Sequence, residues 1–203
     1  MNYGDLKSHF NDLLNRSDIT TALTERFIDQ GIARIQRQLR TPMSERTLEI
    51  TVSGQTETVT LPADFLEIIS LYMGEYELER VSMRRYRELA NTAVAGKPRY
   101  FARQAEKLYI YPQPTSGKLF LYYHAEFPAL SADSDTHQLT NAAPDLIIYA
   151  ALTYAADYYL DNRNEVFEAK FNRFLLELQE QANDQELQGG TQSMLPAYRY
   201  NDE

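Results

Sequence analysis

The sequence predicts an α+β fold, with a helical bundle formed by N- and C-terminal helices, an inserted antiparallel β-sandwich or small barrel, and an extended C-terminal arm. Three observations support this class. Apolar residues recur at helical spacing over residues 24–40, alternate with polar residues over much of 46–127, and return to helical spacing over 145–183. One helical layer is therefore split around a β-rich insert.

The change of period also predicts the domain boundaries. We place the helical bundle in residues 1–44 and 143–187, the β-rich module in residues 45–130, and the extended arm in residues 188–203. A chain of 203 residues is long enough for one domain with a sizeable insert.

Two helices are predicted before the insert. Residues 3–15 carry apolar side chains at helical spacing, namely Leu6, Phe10, Leu13 and Leu14. Residues 24–40 form an amphipathic helix, for which Thr24 is the expected N-cap and Pro42 the expected stop signal. The apolar face of this second helix consists of Phe27, Ile28, Ile32, Ile35 and Leu39.

The opposite face of the second helix is basic, and two interpretations of it remain open. Its arginines are Arg26, Arg34, Arg37 and Arg40. They form either a solvated face balanced by Glu25 and Asp29, or a contact surface for phosphate or an acidic partner. The last helix offers complementary charge in Glu165, Glu168, Glu177 and Glu180. These acids would meet the arginines within one subunit or across a subunit boundary, which makes both sets subunit-interface candidates.

The insert reads as about seven short strands joined by tight turns, which favours antiparallel pairing. A short helical stretch at 83–90 interrupts them, and a loop rich in Ser, Asp and Thr follows at 128–143. Pro144 then marks a helix start. The helix over 145–160 is apolar nearly all round, so its own fold or another subunit must cover it on all sides. The final helix, over 165–183, has the apolar stripe Phe167, Phe171, Phe174 and Leu178.

Composition excludes several classes of function. The chain has no cysteine, which excludes disulfides, thiolate catalysis and cysteine-bound metals. No apolar run is long enough to span a bilayer, and the first residues lack the features of a signal peptide, so we expect no membrane association. The net charge of −9 argues against tight binding of DNA or RNA, but allows a surface past which DNA slides.

No residue carries a catalytic, cofactor-binding or metal-binding signature. The histidines, His9, His124 and His137, are scattered without metal-ligand spacing, and phosphate-binding, dinucleotide-binding and nucleophile motifs are absent from the sequence. A cell-wall (peptidoglycan) hydrolase with paired carboxylates stays open as an alternative, as does a cytosolic helical binding module. Asp145 is better explained as a first-turn acid of its helix, and Asp157 as the partner of an arginine or tyrosine.

The C-terminal arm carries residue types that anchor protein interfaces. They are the two tyrosines that flank Arg199, Tyr198 and Tyr200. With the preceding Met194, Leu195 and Pro196 they form the predicted portal-docking segment. The arm would be disordered, fold back on its own domain or dock on a partner, and we favour docking because a merely disordered tail tends to lack such anchors.

Several phrases, in this order, resemble the head–tail connector (adaptor) proteins of tailed bacteriophages, especially the short-tailed type. They are Glu25-Arg26-Phe27-Ile28 through Arg37-Gln38-Leu39-Arg40, Leu61-Pro62-Ala63-Asp64-Phe65-Leu66, Leu108-Tyr109-Ile110-Tyr111-Pro112-Gln113-Pro114, Leu121-Tyr122-Tyr123, and Pro144-Asp145-Leu146-Ile147-Ile148-Tyr149-Ala150-Ala151-Leu152. The resemblance covers roughly residues 20–180.

This resemblance implies a structural virion protein at the head–tail junction, synthesised in the host bacterial cytoplasm. Such proteins form a ring, typically of twelve copies, that docks under the portal protein and extends the DNA channel. The ring offers a platform for the tail tube or nozzle protein, and DNA passes through it without specific binding. In some members an extended C-terminal arm reaches the portal, and residues 188–203 occupy the corresponding position.

Overall fold

A computed structural model describes residues 1–92 and 94–187. The chain divides into two compact units, of which one combines Met1–Pro42 with the chain from Ala129 onward and the other is Met43–Pro128. In chain order the elements are α1 (Tyr3–Leu14), α2 (Thr21–Gln38), β1 (Glu45–Ser53), β2 (Thr58–Thr60), β3 (Phe65–Met73), β4 (Tyr76–Glu77), β5 (Glu79–Arg80), α3 (Met83–Leu89), β6 (Tyr100–Gln104), β7 (Lys107–Tyr111), β8 (Ser116–Ala125), α4 (Gln138–Ala142), α5 (Pro144–Tyr159) and α6 (Asn164–Leu187). The predicted α+β class is confirmed.

The helical unit is built around α5. This helix packs against α1, α2, α4 and α6, so its own fold covers most of its apolar surface. Its buried residues are Leu146, Ile147, Ile148, Ala150, Ala151, Leu152, Thr153, Ala155 and Ala156. Pro144 starts the helix, as predicted, because its missing N–H would have no partner in the first turn. Towards its C-terminal end α5 becomes accessible, and Tyr158 is exposed there.

The start of α2 differs from the prediction. Thr20 is the N-cap, since its side chain accepts a hydrogen bond from the Leu23 N–H. Thr24, the predicted cap, lies one turn inside the helix, where it is buried and its hydroxyl donates to Asn11 Oδ1 at 2.9 Å. The prediction was wrong because both threonines suit the cap position, and only the packing of α1 on α2 gives Thr24 a partner inside the helix.

The predicted loop at 128–143 is also partly wrong, because it contains the short helix α4. His137 caps this helix: its Nδ1 accepts from the Thr140 N–H at 3.1 Å, and Thr140 Oγ1 accepts from the His137 N–H at 3.0 Å. Leu139 is fully buried in the helical unit. A reciprocal capping box and one buried leucine therefore stabilise a helix too short to show a periodic pattern.

The second unit is a sandwich of two four-stranded sheets. The first sheet has the order β1-β8-β3-β4 and the second the order β2-β7-β6-β5. Among the described residues neither sheet closes into a barrel, so the sandwich alternative holds. A shared core lies between the sheets and contains Val52, Leu71, Leu119 and Leu121 from the first and Val59, Phe101, Leu108 and Ile110 from the second.

One strand pair contradicts the expectation of antiparallel pairing throughout. Strands β4, in the first sheet, and β5, in the second, follow each other along the chain with one residue between them. Leu78, between them, is buried in the core. Strand β5 then pairs with β6 in parallel, because the connection between them passes through α3 and is long enough for a crossover.

We predict that Gly31→Ala destabilises the helical unit. A Cβ at Gly31 would lie 2.9 Å from the Ala151 backbone nitrogen and 3.2 Å from Ala150 Cβ, so α2 and α5 would have to move apart. Helix propensity alone favours alanine by about 1 kcal/mol, whereas overpacking costs about 1–3 kcal/mol. Urea unfolding should show a net loss of stability.

The control is Gly96→Ala, which adds the same methyl group where the nearest atom, Pro112 Cβ, is 3.6 Å away. It should change the free energy of unfolding little. A Gly31→Ala chain more stable than the wild type would show that the α2–α5 approach imposes no constraint.

Candidate functional site

A polar cluster centred on Arg34 joins three helices of the helical unit. Arg34 Nη1 donates to Glu168 Oε2 at 2.9 Å and to Thr153 Oγ1 at 3.1 Å, and Nη2 donates to Glu168 Oε1. The guanidinium carbon lies 4.0 Å from the centre of the Phe171 ring. Arg34 comes from α2, Thr153 from α5, and the other two from α6, so the cluster holds α2 and α6 beside the central helix.

The surroundings of Arg34 favour the charged forms of both partners. The Arg34 side chain is 17% exposed and that of Glu168 is 41% exposed. The hydrogen bond between them raises the pKa of Arg34 and lowers the pKa of Glu168. A bidentate arginine–carboxylate pair of this kind fixes geometry as well as charge. Arg34 of α2 therefore reaches an acid of α6 within a single chain.

The other arginines of the predicted basic face have different surroundings. Arg26 is exposed, and no ion pair to it occurs within the part of the chain that the structure describes. Arg37 is exposed and its Nη2 lies 3.4 Å from the Tyr154 hydroxyl. Arg40 Nη1 donates to the backbone carbonyls of Leu39, at 3.0 Å, and of Gln36. Glu25 accepts from Lys7 of α1 at 3.1 Å instead of from an arginine of its own helix.

The acids of α6 follow one side of that helix. Glu165, Glu177 and Glu180 are exposed, whereas Glu168 is half-buried against Arg34. Glu177 Oε1 accepts from Arg173 at 2.8 Å, one turn away, in a pair that is open to solvent on both sides. Most of the negative charge of these four glutamates is therefore available at the surface of α6.

The histidines and the candidate acids have structural surroundings. His124 Nδ1 lies 2.8 Å from Ser44 Oγ, His137 caps α4, and His9 is exposed. Across residues 1–92 and 94–187, no group of three or more His, Asp or Glu side chains is arranged to hold a metal ion. Asp145 Oδ1 accepts from the Leu146 N–H in the first turn of α5, as expected. Asp157 is exposed and has no ion pair among the described residues, so its predicted pairing is wrong.

One open groove of the β module brings two carboxylates together. It has a volume of about 410 Å³, and its lining includes Glu77, Glu79, Arg80 and Phe101. Both carboxylates are exposed, and the Tyr72 hydroxyl lies 3.4 Å from Glu77 Oε2. The general acid of a glycosidase is sheltered from water so that it keeps its proton. The groove therefore lacks the environment that a carboxylate-pair hydrolase needs.

A dense basic surface on α3 was not predicted from the sequence, where only a short helical stretch was expected. The arginines of this surface are Arg84, Arg85 and Arg87, and all three are exposed. The net charge of this part of the sequence would have indicated it, because residues 80–107 contain eight Lys and Arg against two Glu. The overall charge of −9 hides this segment because acids elsewhere outnumber it.

The predicted docking arm, residues 188–203, lies outside the described residues. Among the helices that the structure describes, none combines the length and the apolar character needed to cross a membrane.

A family model described as SU10 adaptor protein matches residues 1–194. Because the match covers nearly the whole chain, the protein belongs to this family, and the resemblance to bacteriophage head–tail adaptors is confirmed. A search of curated proteins finds no match.

We predict that Glu168→Gln destabilises the helical unit in a pH-dependent way. The folded pKa of Glu168 is lower than the unfolded value of about 4.3. The contribution of the pair is therefore complete above that value and is lost as the pH falls through the folded pKa. Since Glu168 is partly exposed, we expect the variant to lose only about 1 kcal/mol at pH 7.

Chemical denaturation of wild type and variant between pH 7 and pH 3 measures this difference. The matched control is Glu177→Gln, because its pair with Arg173 is exposed on both sides and should contribute little. The role assigned to the Arg34–Glu168 pair is contradicted if both variants lose the same free energy of unfolding. It is also contradicted if the difference in free energy between wild type and Glu168→Gln does not shrink towards acid pH.

Proposed function

We propose that this member of the SU10 adaptor protein family forms a ring, of about twelve copies, at the junction of head and tail. The ring docks under the portal protein, extends the DNA channel and provides the platform on which the tail tube or nozzle protein attaches. Membership of the family over residues 1–194 is the observation that carries the proposal, and it makes the chain a bacteriophage adaptor and a virion component.

The charge distribution of the helical unit supports lateral contacts in such a ring. Arg26 and Arg37 are exposed on α2, and Glu165, Glu177 and Glu180 are exposed on α6. A subunit that carries complementary charges on different surfaces favours head-to-tail contacts, which close into a ring when the rotation allows. Arg34 and Glu168 keep α2 and α6 in place beside this contact, and Arg40 lies at its end.

The arm is proposed to dock on the portal. Its proposed anchors are Met194, Leu195, Pro196, Tyr198, Arg199 and Tyr200, and the two tyrosines and the arginine are of the types that dominate protein interfaces. The family match extends to residue 194, so most of these anchors lie beyond it. Such a position suits a segment adapted to one particular portal surface.

Repulsion is proposed to keep DNA from sticking inside the ring. Each copy carries a net charge of −9, and a ring multiplies that charge around a common axis. An acidic channel wall repels the phosphate backbone, so DNA slides past during packaging and ejection without specific binding. A basic wall would contradict this part of the proposal.

The family and the site chemistry both favour a structural role over an enzymatic one. The adaptor family indicates a structural protein. The exposed carboxylates of the β-module groove do not suit a cell-wall hydrolase. A zymogram with peptidoglycan tests the remaining alternative, since clearing by the wild type that disappears in Glu77→Gln/Glu79→Gln would establish the hydrolase.

Assembly with portal protein tests the ring directly. We expect the purified chain to bind portal particles and to add about a dozen copies per portal ring, visible as extra density in electron micrographs and as added mass in mass photometry. A cytosolic binding module would add no mass to portal. That result would contradict the proposed ring.

We predict that deleting residues 188–203 weakens portal binding by at least about tenfold, because a few Tyr and Arg side chains dominate most interfaces. The fold should remain intact, with unchanged far-UV circular dichroism. Tyr198→Ala/Tyr200→Ala in the full chain should reproduce much of the loss, whereas alanine at Thr191, Gln192 and Ser193 should not. Portal binding by the truncated chain at wild-type strength would remove the arm from the mechanism.

A further inference from the structure

The β module has a strong internal separation of charge. Residues 43–79 contain eight Asp and Glu against one Arg, whereas residues 80–107 contain eight Lys and Arg against two Glu. The first segment supplies β1 to β4 and the first residue of β5, and the second supplies the rest of β5, α3 and β6 and ends at the start of β7. The separation along the chain therefore becomes a separation between parts of one sandwich.

The outer side of the first sheet is acidic and aromatic. Leu121 and Leu119 of β8 point into the core, so the residues that alternate with them, Phe120 and Tyr122, point outward. Tyr72 pairs with Phe120 across β3 and β8, and the Tyr72 and Tyr122 rings meet edge to face at 5.7 Å. The strand register places Glu49 and Glu77 beside Phe120 and Tyr72, and Glu45 and Glu67 beside His124, two residues beyond Tyr122 on β8. Lys118, on the same side of β8, pairs with Glu49 at 2.6 Å, so four glutamates stand against one lysine on this surface. We call this surface the acidic face.

The outer side of the second sheet carries α3. Leu108 and Ile110 of β7 are fully buried in the core, so Tyr109 and Tyr111 point to the other side of that sheet. Tyr86 of α3 packs on both rings, at 5.6 Å and 6.5 Å between ring centres, and is itself buried. This aromatic anchor holds the short helix against the sheet.

With Tyr86 packed on the sheet, the charged side chains of α3 point to solvent. The Arg84 side chain is 91% exposed and that of Arg85 is 59% exposed, and both share Glu88 as an ion-pair partner. Arg87 is exposed as well. Three arginines against one glutamate leave a net positive surface, which we call the arginine face and define as Arg84, Arg85 and Arg87.

We propose that the arginine face of one copy binds the acidic face of the next copy, so that the β modules also contact each other around the ring. The two faces lie on opposite outer sides of the sandwich, which is the arrangement that a repeating head-to-tail contact requires. Arginine guanidinium groups pair with carboxylates and stack on exposed tyrosine rings, and the acidic face offers both partners. The inference rests on the proposed ring.

A second copy explains these surfaces better than DNA does. Phosphates would engage the arginine face alone and leave the complementary acidic face without a role. A DNA-binding surface would also work against the repulsion expected from a net charge of −9 per copy. The complementarity of two faces on one module therefore favours binding between copies.

The test is a charge swap, measured as copies bound per portal particle by mass photometry. Arg84→Glu/Arg85→Glu/Arg87→Glu should lower the number of bound copies at a fixed concentration by at least about fivefold, because like charges then face each other. Adding Glu45→Lys/Glu67→Lys/Glu77→Lys to the same chain restores complementarity and should recover most of the binding.

The matched control is Arg16→Glu/Arg99→Glu/Arg103→Glu, which changes the net charge by the same amount at exposed positions outside both faces and outside the proposed contact of α2 and α6. It should assemble nearly as well as the wild type. The inference is overturned if the arginine-face variant assembles normally. It is also overturned if the combined swap fails to recover binding although that chain has the circular dichroism and unfolding temperature of the wild type.

Failure of the ring and binding of DNA would give different results. If the wild type adds no ring to portal, the proposed function fails, and the β-module contact that rests on it fails with it. Binding of DNA is measured with a 20-base-pair duplex by fluorescence anisotropy at 0.15 M salt. If all variants form rings, and the wild type binds the duplex whereas the arginine-face variant does not, the arginine face is a DNA contact. The proposed contact between copies is then wrong.

Discussion

Covering α5 is the constraint on which the helical unit depends. A helix that is apolar nearly all round has no stable position at a surface, because each fully buried Leu or Ile contributes roughly 1.5–3 kcal/mol relative to exposure. Helices α1, α2, α4 and α6 therefore pack around it. At Gly31 the missing Cβ lets α2 come within van der Waals contact of the α5 backbone. The N- and C-terminal parts of the chain must meet for this core to form.

The same constraint decides what the charged residues of the helical unit do. Because α2 and α6 both pack on α5, Arg34 reaches Glu168 within one chain. That interaction stabilises the packing and is not available to a neighbouring copy. Arg26 and Arg37 remain exposed, although Arg37 also reaches the Tyr154 hydroxyl of α5. The position of each arginine around the helix, and not its presence in a basic sequence, separates a structural role from an interface candidate.

Much of this architecture follows from the sequence, because periodicity reports burial directly. The helices, the change to alternating strands and the apolar α5 were all predictable for that reason. The errors have local causes. Thr24 resembles a cap until the packing of α1 provides Asn11, α4 is too short for a periodic signal, and β5 becomes parallel only through its crossover. The arginine face was not predicted because the net charge of the whole chain does not show where positive charges are concentrated.

The proposed contacts between copies are expected to be weak, and this weakness affects how such a ring assembles. Exposed ion pairs contribute about 0–1 kcal/mol each, so a contact made mainly of arginines and glutamates is weak between two free copies. A portal that holds copies side by side raises their effective concentration, and each added copy then gains contacts on both of its sides. Weak lateral contacts therefore favour a ring on the portal over premature association in solution. An acidic face on one side and an arginine face on the other provide this behaviour without any additional apolar interface.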